Sequence, residues 1–144
     1  MADINGFYTL KGYQLLETDT LTPAMQDYLE MICRMLRSAE VVRMRDLADK
    51  LHVRPSSASK MTAHLKENGY VDFQKYGFIV TTAKGAEIGR YLLHRHDVLQ
   101  RFLCMLNRSD NELEQVEKIE HFLNIQTIKN IELLTLKMQK EKRV

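Results

Sequence analysis

The stretch that decides the fold of this chain is MRDLADKLHVRPSSASKMTAHLKENGYVDFQKYGFIVT, residues 44–81. Its first eight residues predict a short helix with Leu47 and Leu51 on the inner face. After a three-residue turn, Pro55 begins a second helix, and Gly69 suits the position just beyond that helix's end. Two short helices joined in this way predict a helix-turn-helix.

The texture of the sequence changes after the second helix. Residues 70–74 and 78–81 are rich in β-branched and aromatic side chains, and the Gly-containing segment Lys75-Tyr76-Gly77 separates them. This pattern predicts a β-hairpin. A hairpin directly after such a pair of helices is a wing, so the sequence predicts a winged helix-turn-helix.

Another helix is predicted before this unit. Thr22-Pro23 is typical of an N-cap followed by the first helical residue, and apolar residues then recur every three or four positions to about Ser38. Residues 1–20 show no clean period, and their conformation is left open.

The chain is predicted to be helical from Thr82 to its end, with breaks near His94 and Asn107. The segment Ser109-Asp110-Asn111-Glu112 resembles a capping box that begins a further helix. The last helix is expected from about Asn124 to Lys140. It presents a broad apolar surface, which either packs internally or contacts a partner subunit.

These elements predict a mostly α protein. An N-terminal winged helix-turn-helix with a small β-hairpin wing is followed by an all-α domain. The predicted division is residues 1–20, an extension of unknown role, residues 21–92, the DNA-binding domain, and residues 93–144, the helical domain.

Charge is unevenly spread along the 144 residues, although the net charge is only +2. Residues 40–95 hold ten Lys/Arg and six Asp/Glu, whereas residues 109–121 hold five acids and one lysine. The basic part suggests a polyanion as partner, and the acidic part suggests cations or solvent.

Composition indicates a cytoplasmic protein. Charged residues make up 28% of the chain, and no stretch approaches the ~20 apolar residues of a membrane span. The N-terminus lacks the apolar core of a signal peptide. Cys33 and Cys104, without a CxxC motif, are expected to be reduced.

Carboxylates and imidazoles form the candidate chemical site. Glu117, Glu120 and His121 are spaced to share one helix face, Asp27 and Glu30 form an acidic pair on the first helix, and His96 follows the expected break. Such oxygen and nitrogen ligands suit divalent metals from Mg²⁺ and Mn²⁺ to Zn²⁺. Six ligands suffice for two adjacent ions, but acids at this spacing are also common on a solvated helix face.

Four motifs in their order along the chain carry a family resemblance. They are TPAMQDYLEM around Asp27 and Glu30, the helix start PSSASKM, LLHRHDVLQRFL around His96, and VEKIEH. From about Leu21 to Lys140 the chain resembles the DtxR family of metalloregulators. The resemblance implies that the all-α domain is a metal-binding and dimerisation domain. It also implies that the metal ligands are Asp27, Glu30, His96, Glu117, Glu120 and His121.

Within the family, the chain is more similar to the manganese-responsive members than to the iron-responsive ones. The latter have Met and Cys where this chain has Asp27 and Glu117, and two carboxylates favour Mn²⁺ over Fe²⁺. The resemblance implies Mn²⁺, two ions per subunit, with Fe²⁺, Co²⁺ or Zn²⁺ as substitutes. Cys33, one turn from Glu30, is interpreted as a core or surface residue that could offer a thiolate.

The second helix of the helix-turn-helix is the expected reader of double-stranded operator DNA. The residues expected to contact DNA are Arg54, Ser56, Ser57, Ser59 and Lys60 on this helix and Lys75 and Tyr76 at the wing tip. One of Ser56 and Ser57 is also expected to cap the helix.

The function that follows is a homodimeric repressor that binds operator DNA when Mn²⁺ bridges the two domains, controlling metal-uptake genes, with no membrane or small-molecule substrate as partner. Three alternatives stay open: a regulator that responds to iron or another divalent metal, a winged-helix regulator of an organic effector, and a di-metal carboxylate enzyme. Against the enzyme, two ligand groups flank a DNA reader and no catalytic triad or phosphate-binding loop is present.

Overall fold

The computed structural model describes residues 21–142, most of them helical. The helices are α1 (Pro23–Met35), α2 (Met44–Leu51), α3 (Pro55–Glu67), α4 (Ala83–Asn107), α5 (Leu113–Ile119) and α6 (Ile125–Lys142). Strands β1 (Val71–Phe73) and β2 (Ile79–Thr81) lie between α3 and α4. This arrangement confirms the predicted fold class, whereas the extension at residues 1–20 lies outside the described range.

The predicted helix boundaries of the helix-turn-helix unit are confirmed. Thr22 caps α1, because its Oγ1 accepts a hydrogen bond of 3.2 Å from the backbone N–H of Met25. Pro55 occupies the first position of α3, where a missing N–H costs nothing. Gly69 follows α3 with φ of 83°, a left-handed conformation that glycine adopts without strain.

The wing is a short antiparallel hairpin in which Val71 pairs with Thr81 and Phe73 with Ile79. Val42, before α2, adds backbone hydrogen bonds of 2.8 and 2.9 Å to Ile79. The wing is therefore anchored to the chain that leads into the helix-turn-helix. A 3₁₀ turn at Lys75–Gly77 forms its tip.

Residues 21–142 form two hydrophobic cores. The larger holds fourteen buried side chains from α1 to the first part of α4, ending with Leu92. The smaller holds five, which are Val98, Leu99, Leu103, Val116 and Ile128. Helix α4 contributes to both cores, so it joins the two regions as a continuous rod.

Two details of the sequence prediction are wrong. No break occurs near His94, because α4 is one uninterrupted helix of 25 residues from Ala83 to Asn107. Its end at Asn107 coincides with the second predicted break. The segment 109–112 is not a capping box, since α5 begins only at Leu113. The Glu112 carboxylate instead accepts hydrogen bonds from Ser109 Oγ at 2.7 Å and from Asn107 Nδ2 at 3.2 Å.

Helix α6 lies close to its predicted bounds. It packs against α4 and buries Ile128, but Leu133, Leu134 and Leu136 stay largely exposed. Between residues 21 and 142, none of the helices combines the length and the apolar character that crossing a membrane requires.

Candidate metal centre

Three segments converge at the joint between the two cores. Helix α1 presents Asp27 and Glu30, α4 presents His96, and a 3₁₀ turn at Glu120–Phe122 presents Glu120 and His121. Segments far apart in the sequence therefore build one polar cluster.

Two glycines let α4 approach its neighbours closely. A Cβ at Gly85 would collide with the backbone carbonyl of Tyr70, and one at Gly89 would collide with the side chain of Cys33 on α1. Because α4 lies this close to α1, the imidazole of His96 reaches Glu30.

The first group of side chains consists of Glu30, His96 and Glu120. His96 Nδ1 lies 3.1 Å from Glu120 Oε2 and 3.8 Å from Glu30 Oε2. The side chains of Glu30 and His96 are about one-tenth exposed, and that of Glu120 is 1% exposed. One potential ligand atom from each residue fits within 4.8 Å of the others.

The second group consists of Asp27, Glu120 and His121, with the same 4.8 Å limit. His121 Nε2 lies 2.9 Å from Asp27 Oδ1 and 3.9 Å from Glu120 Oε1. Glu120 is thus shared, with one carboxylate oxygen facing each histidine. Asp27 is half exposed, so this group opens to solvent whereas the first is enclosed.

Burial shapes the protonation of the enclosed group. Removal from water and then the nearby Glu120 carboxylate raise the pKa of Glu30 to about 7. The hydrogen bond to Glu120 raises the pKa of His96, against the opposing effect of its burial. Glu30 therefore holds its proton more tightly than it would in water, mainly because it is buried and secondly because the Glu120 carboxylate lies beside it.

The cluster fits a divalent metal ion. Glu120 Oε1 is buried and has no hydrogen-bond partner among the described residues, which is costly for a carboxylate oxygen. Carboxylate oxygens and imidazole nitrogens are also the ligand types that Mn²⁺ and similar cations take. A cation between these groups would satisfy the oxygen and neutralise the acids.

Glu117 does not join either group. Its side chain is exposed, and the predicted helix face shared with Glu120 and His121 does not form, because α5 ends at Ile119. The Asn124 side chain caps α6 by accepting a hydrogen bond of 2.8 Å from the N–H of Thr127, so α6 cannot continue from α5. The 3₁₀ turn before this cap directs Glu120 and His121 inward.

Cys33 faces α4 rather than either ligand group. Its thiol lies 3.9 Å from the carbonyl oxygen of Gly85, and burial raises its pKa to about 11. A neutral thiol is a poor metal ligand. Cys33 is therefore a packing residue between the two helices.

Sequence reasoning missed two polar residues beside the cluster. Gln26 Oε1 accepts a hydrogen bond of 2.9 Å from Arg95 Nη2 and lies 2.9 Å from His121 Nδ1. Arg95 is buried, with 5% of its surface exposed. The sequence offered one indication of their role: Gln26 directly precedes the candidate ligand Asp27, and Arg95 directly precedes the candidate ligand His96.

The seven residues expected to contact DNA all have exposed side chains; they are Arg54, Ser56, Ser57, Ser59, Lys60, Lys75 and Tyr76. Five lie at the start of α3 and two at the wing tip. The expectation that Ser56 or Ser57 caps α3 is wrong, since the cap position is Arg54. The side chains of Ser56 and Ser57 are therefore exposed to solvent and do not cap the helix.

Comparisons with known proteins agree with these features. Residues 20–79 match the iron dependent repressor N-terminal DNA binding domain, and residues 82–142 match the iron dependent repressor metal binding and dimerisation domain. The HTH-type transcriptional regulator MntR of Oceanobacillus iheyensis is 39% identical over 111 residues, 76% of each chain. MntR of Geobacillus kaustophilus is 37% identical over 123 residues, 85% of this chain and 87% of its own.

Among solved structures, the manganese regulator SloR superposes with a TM-score of 0.70 at 23% identity, over 78% of this chain and 54% of its own. The chain thus spans about half the length of that regulator, and this likeness concerns the fold. The curated relatives are transcriptional regulators, so this chain is a regulator and not an enzyme. On both matched domains, the chain belongs to the DtxR family of metal-dependent transcriptional repressors.

Proposed function

We propose that this repressor is manganese-responsive and that it binds operator DNA as a homodimer in the cytoplasm, where it controls metal-uptake genes. The observation that carries the proposal is the buried Glu120 carboxylate, which two ligand groups share. One of its oxygens has no hydrogen-bond partner among the described residues. The relatives named MntR support the choice of regulator type.

The proposed ligands are Asp27, Glu30, His96, Glu120 and His121, with Glu117 as a sixth that must turn inward. Because two groups share Glu120, we propose two ions per subunit. The enclosed group would hold one and the solvent-facing group the other.

Manganese is proposed because of the donor atoms. The two groups contain only oxygen and nitrogen ligands, and Cys33 keeps a neutral thiol against α4. Hard carboxylates suit Mn²⁺, whereas sulfur ligands favour softer metals. Fe²⁺, Co²⁺ and Zn²⁺ can also bind to such ligands, so the availability of each metal in the cell contributes to the selectivity for Mn²⁺.

The ligands connect the DNA reader to the C-terminal region. Asp27 and Glu30 belong to α1, whose other face packs in the larger core through Leu29 and Ile32. A bound cation would supply the positive charge that holds these carboxylates against Glu120. Without it, mutual repulsion of the acids loosens α1 from the 3₁₀ turn.

DNA contact is proposed for the start of α3 and for the wing tip. Lys60 and the serines reach base edges or phosphates in a major groove, while Lys75 and Tyr76 suit the backbone. Two reading helices about 34 Å apart would match successive turns of a palindromic operator. A firm joint fixes this spacing.

The dimer is proposed to form through α6, whose exposed Leu133, Leu134 and Leu136 offer an apolar surface. The division of the chain at residues 92 and 93 remains a proposal. It agrees with the change of core along α4, where Leu92 packs in the larger core and Val98 in the smaller.

The test is fluorescence anisotropy of a labelled duplex from a manganese-transporter promoter or the chain's own promoter region. Protein is titrated in chelator, then with Mn²⁺, anaerobic Fe²⁺ or Zn²⁺, at one salt concentration because phosphate contacts are salt-dependent. Tight binding is expected with Mn²⁺ and is expected to disappear in Asp27→Ala.

The matched control is Asp110→Ala, an exposed aspartate in the loop before α5, which is expected to behave like the unchanged protein. Equal DNA binding in chelator and in Mn²⁺ would refute metal control. Tight binding with Fe²⁺ but not with Mn²⁺ would refute the choice of metal alone.

A further inference from the structure

We propose that Gln26 is a positioning residue that holds the His121 imidazole with Nδ1 turned away from the metal centre and Nε2 turned towards it. This inference rests on the proposed metal-binding function and deepens it. It concerns a residue of α1 that is not itself among the proposed ligands.

The orientation of the Gln26 amide follows from its two ends. Its Nε2 donates to the backbone carbonyl of Leu21 at 3.3 Å, and its Oε1 lies 2.9 Å from Arg95 Nη2. A guanidinium nitrogen only donates hydrogen bonds, so the amide end that faces Arg95 must be the oxygen. The reversed orientation would set two donors against each other.

This orientation determines that Nδ1 of His121 carries hydrogen. The same Oε1 lies 2.9 Å from His121 Nδ1, and a carbonyl oxygen can only accept. Nδ1 must therefore donate, because two lone pairs at this distance would repel each other. Arg95 Nη2 lies farther from Nδ1, at 3.4 Å, which suits two neighbouring donors that share one acceptor.

The other ring nitrogen then faces the cluster. His121 Nε2 lies 2.9 Å from Asp27 Oδ1 and 3.9 Å from the unpartnered Glu120 Oε1. A histidine ligand whose second nitrogen donates to a fixed acceptor keeps its tautomer and its ring orientation. Gln26 supplies that acceptor, and Arg95, buried in α4, holds the acceptor in place.

The arrangement also links three segments by hydrogen bonds. Gln26 belongs to α1, Arg95 to α4 and His121 to the 3₁₀ turn. The ring is therefore oriented by both regions of the chain at once, so a shift of α1 is expected to disturb His121 coordination directly.

The experiment uses the full chain with ¹⁵N-labelled histidine and ¹¹³Cd²⁺ as a diamagnetic probe. In the unchanged protein, ¹¹³Cd–¹⁵N coupling is expected at Nε2 of His121, while Nδ1 keeps its hydrogen. In chelator, the Nδ1 hydrogen is expected to be protected from exchange. Gln26→Met has a similar length without an acceptor, so it is expected to lose this protection, to scramble the coupled nitrogen and to weaken Cd²⁺ and Mn²⁺ binding about 10–100-fold.

Gln26→Glu serves as the conservative variant, because a carboxylate oxygen at the same position still accepts from Nδ1 and from Arg95. It is expected to retain Nε2 coordination. Gln126→Met, at an exposed glutamine of α6 that bonds to Asn130, is the matched control and is expected to change nothing. Thermal unfolding is followed for each variant, and Gln26→Asn, one methylene too short, replaces Gln26→Met if the latter does not fold.

The proposal is overturned if Gln26→Met keeps Nε2 coordination and binds both ions within about threefold of the unchanged protein, a difference below the usual effect of an outer-shell residue. It is also overturned if Gln26→Glu loses as much as Gln26→Met. If neither nitrogen of His121 couples to cadmium in the unchanged protein, the ligand assignment under the proposed function fails, and this inference fails with it.

Discussion

The DNA-reading region and the C-terminal region are stabilised to different degrees by apolar packing. Among the described residues, fourteen buried hydrophobic side chains from Leu21 to Leu92 fill the core of the first region, and five fill the core of the second. The second region also leaves Leu133, Leu134 and Leu136 exposed. From this difference we expect the reader to hold its own shape and the C-terminal region to depend more on other contacts.

The proposed contacts are those within the polar cluster and with a partner subunit. The cluster lies at the boundary between the cores, where α4 passes from one to the other, and contains the fully buried Glu120. A metal ion at this place would join α1 to the 3₁₀ turn, so it would change how firmly the two regions are held together. A typical coupling between effector and DNA is ~1–3 kcal/mol.

The largest expected effect comes from removing the group that both regions share. Glu120→Gln keeps the shape of the side chain but removes its charge, so the two ligand groups lose their common carboxylate. We expect Mn²⁺ affinity to fall by more than the roughly 10–100-fold typical of an outer-shell change, and DNA binding to stop responding to metal. Isothermal titration calorimetry and anisotropy measure the two effects.

Glu114→Gln is the control for this change, because Glu114 is an exposed acid of α5 paired with Lys118. It is expected to leave both readings unchanged. Metal-dependent DNA binding that survives Glu120→Gln would show that the joint between the regions is held by something else.

A second test compares the two cores directly with a matched pair of leucines. Leu47 in the larger core and Leu99 in the smaller one are both fully buried. Leu→Ala substitutions in cores cost about 2–5 kcal/mol, less where the site can collapse. We expect Leu47→Ala near the upper end and Leu99→Ala near the lower end, measured by urea unfolding in chelator at one protein concentration. Equal losses would remove the contrast between the cores.

A third test concerns what covers α6. Leu134→Asp places a charge on the exposed apolar surface, so we expect the dimer to dissociate at micromolar concentration while the helical content is retained. Sedimentation equilibrium and circular dichroism measure these effects. Ala63→Asp, at an exposed position of α3, changes the net charge by the same amount and is expected to stay dimeric. A dimeric Leu134→Asp protein would move the interface away from this face.

The smallest expected effect is on pH dependence. The folded-state pKa values of Glu30 and His96 are both raised, the first to about 7. Groups with raised values stabilise the fold below their unfolded pKa and lose that contribution as pH rises through the folded value. In chelator, the free energy of unfolding is therefore expected to fall between about pH 5 and pH 8. With saturating Mn²⁺ we expect no such fall, and Glu30→Gln is expected to flatten the dependence in chelator.

Much of the fold could be predicted because local signals agree. Pro55 and Gly69 mark the two ends of α3, and Thr22 caps α1. Each of these signals acts within a few residues of the chain and does not depend on tertiary contacts. The error at His94 has a tertiary cause. A run of polar residues inside a helix resembles a break, but Arg95 and His96 are buried there with partners on α1 and in the 3₁₀ turn.

The candidate site could be predicted only in part. The resemblance of the motifs supplied the six proposed ligands, and five of them lie in the two groups. The position of Glu117 could not be foreseen, because it depends on where α5 stops, and the motif VEKIEH does not by itself mark an end at Ile119. Gln26 was missed because the residues that it contacts are distant in sequence. Arg95 lies 69 positions and His121 lies 95 positions further along the chain.

The double use of α1 has a consequence for engineering. One face of this helix fills the larger core through Leu29 and Ile32, and another carries Asp27 and Glu30. A chimera that grafts this DNA reader onto a foreign sensor would take part of the metal centre with it, and the excised sensor would lack the same part. No single point in the chain therefore separates the metal-sensing residues from the DNA-reading residues. A domain exchange has to redesign the face of α1 that carries the ligands and leave the face that packs in the core unchanged.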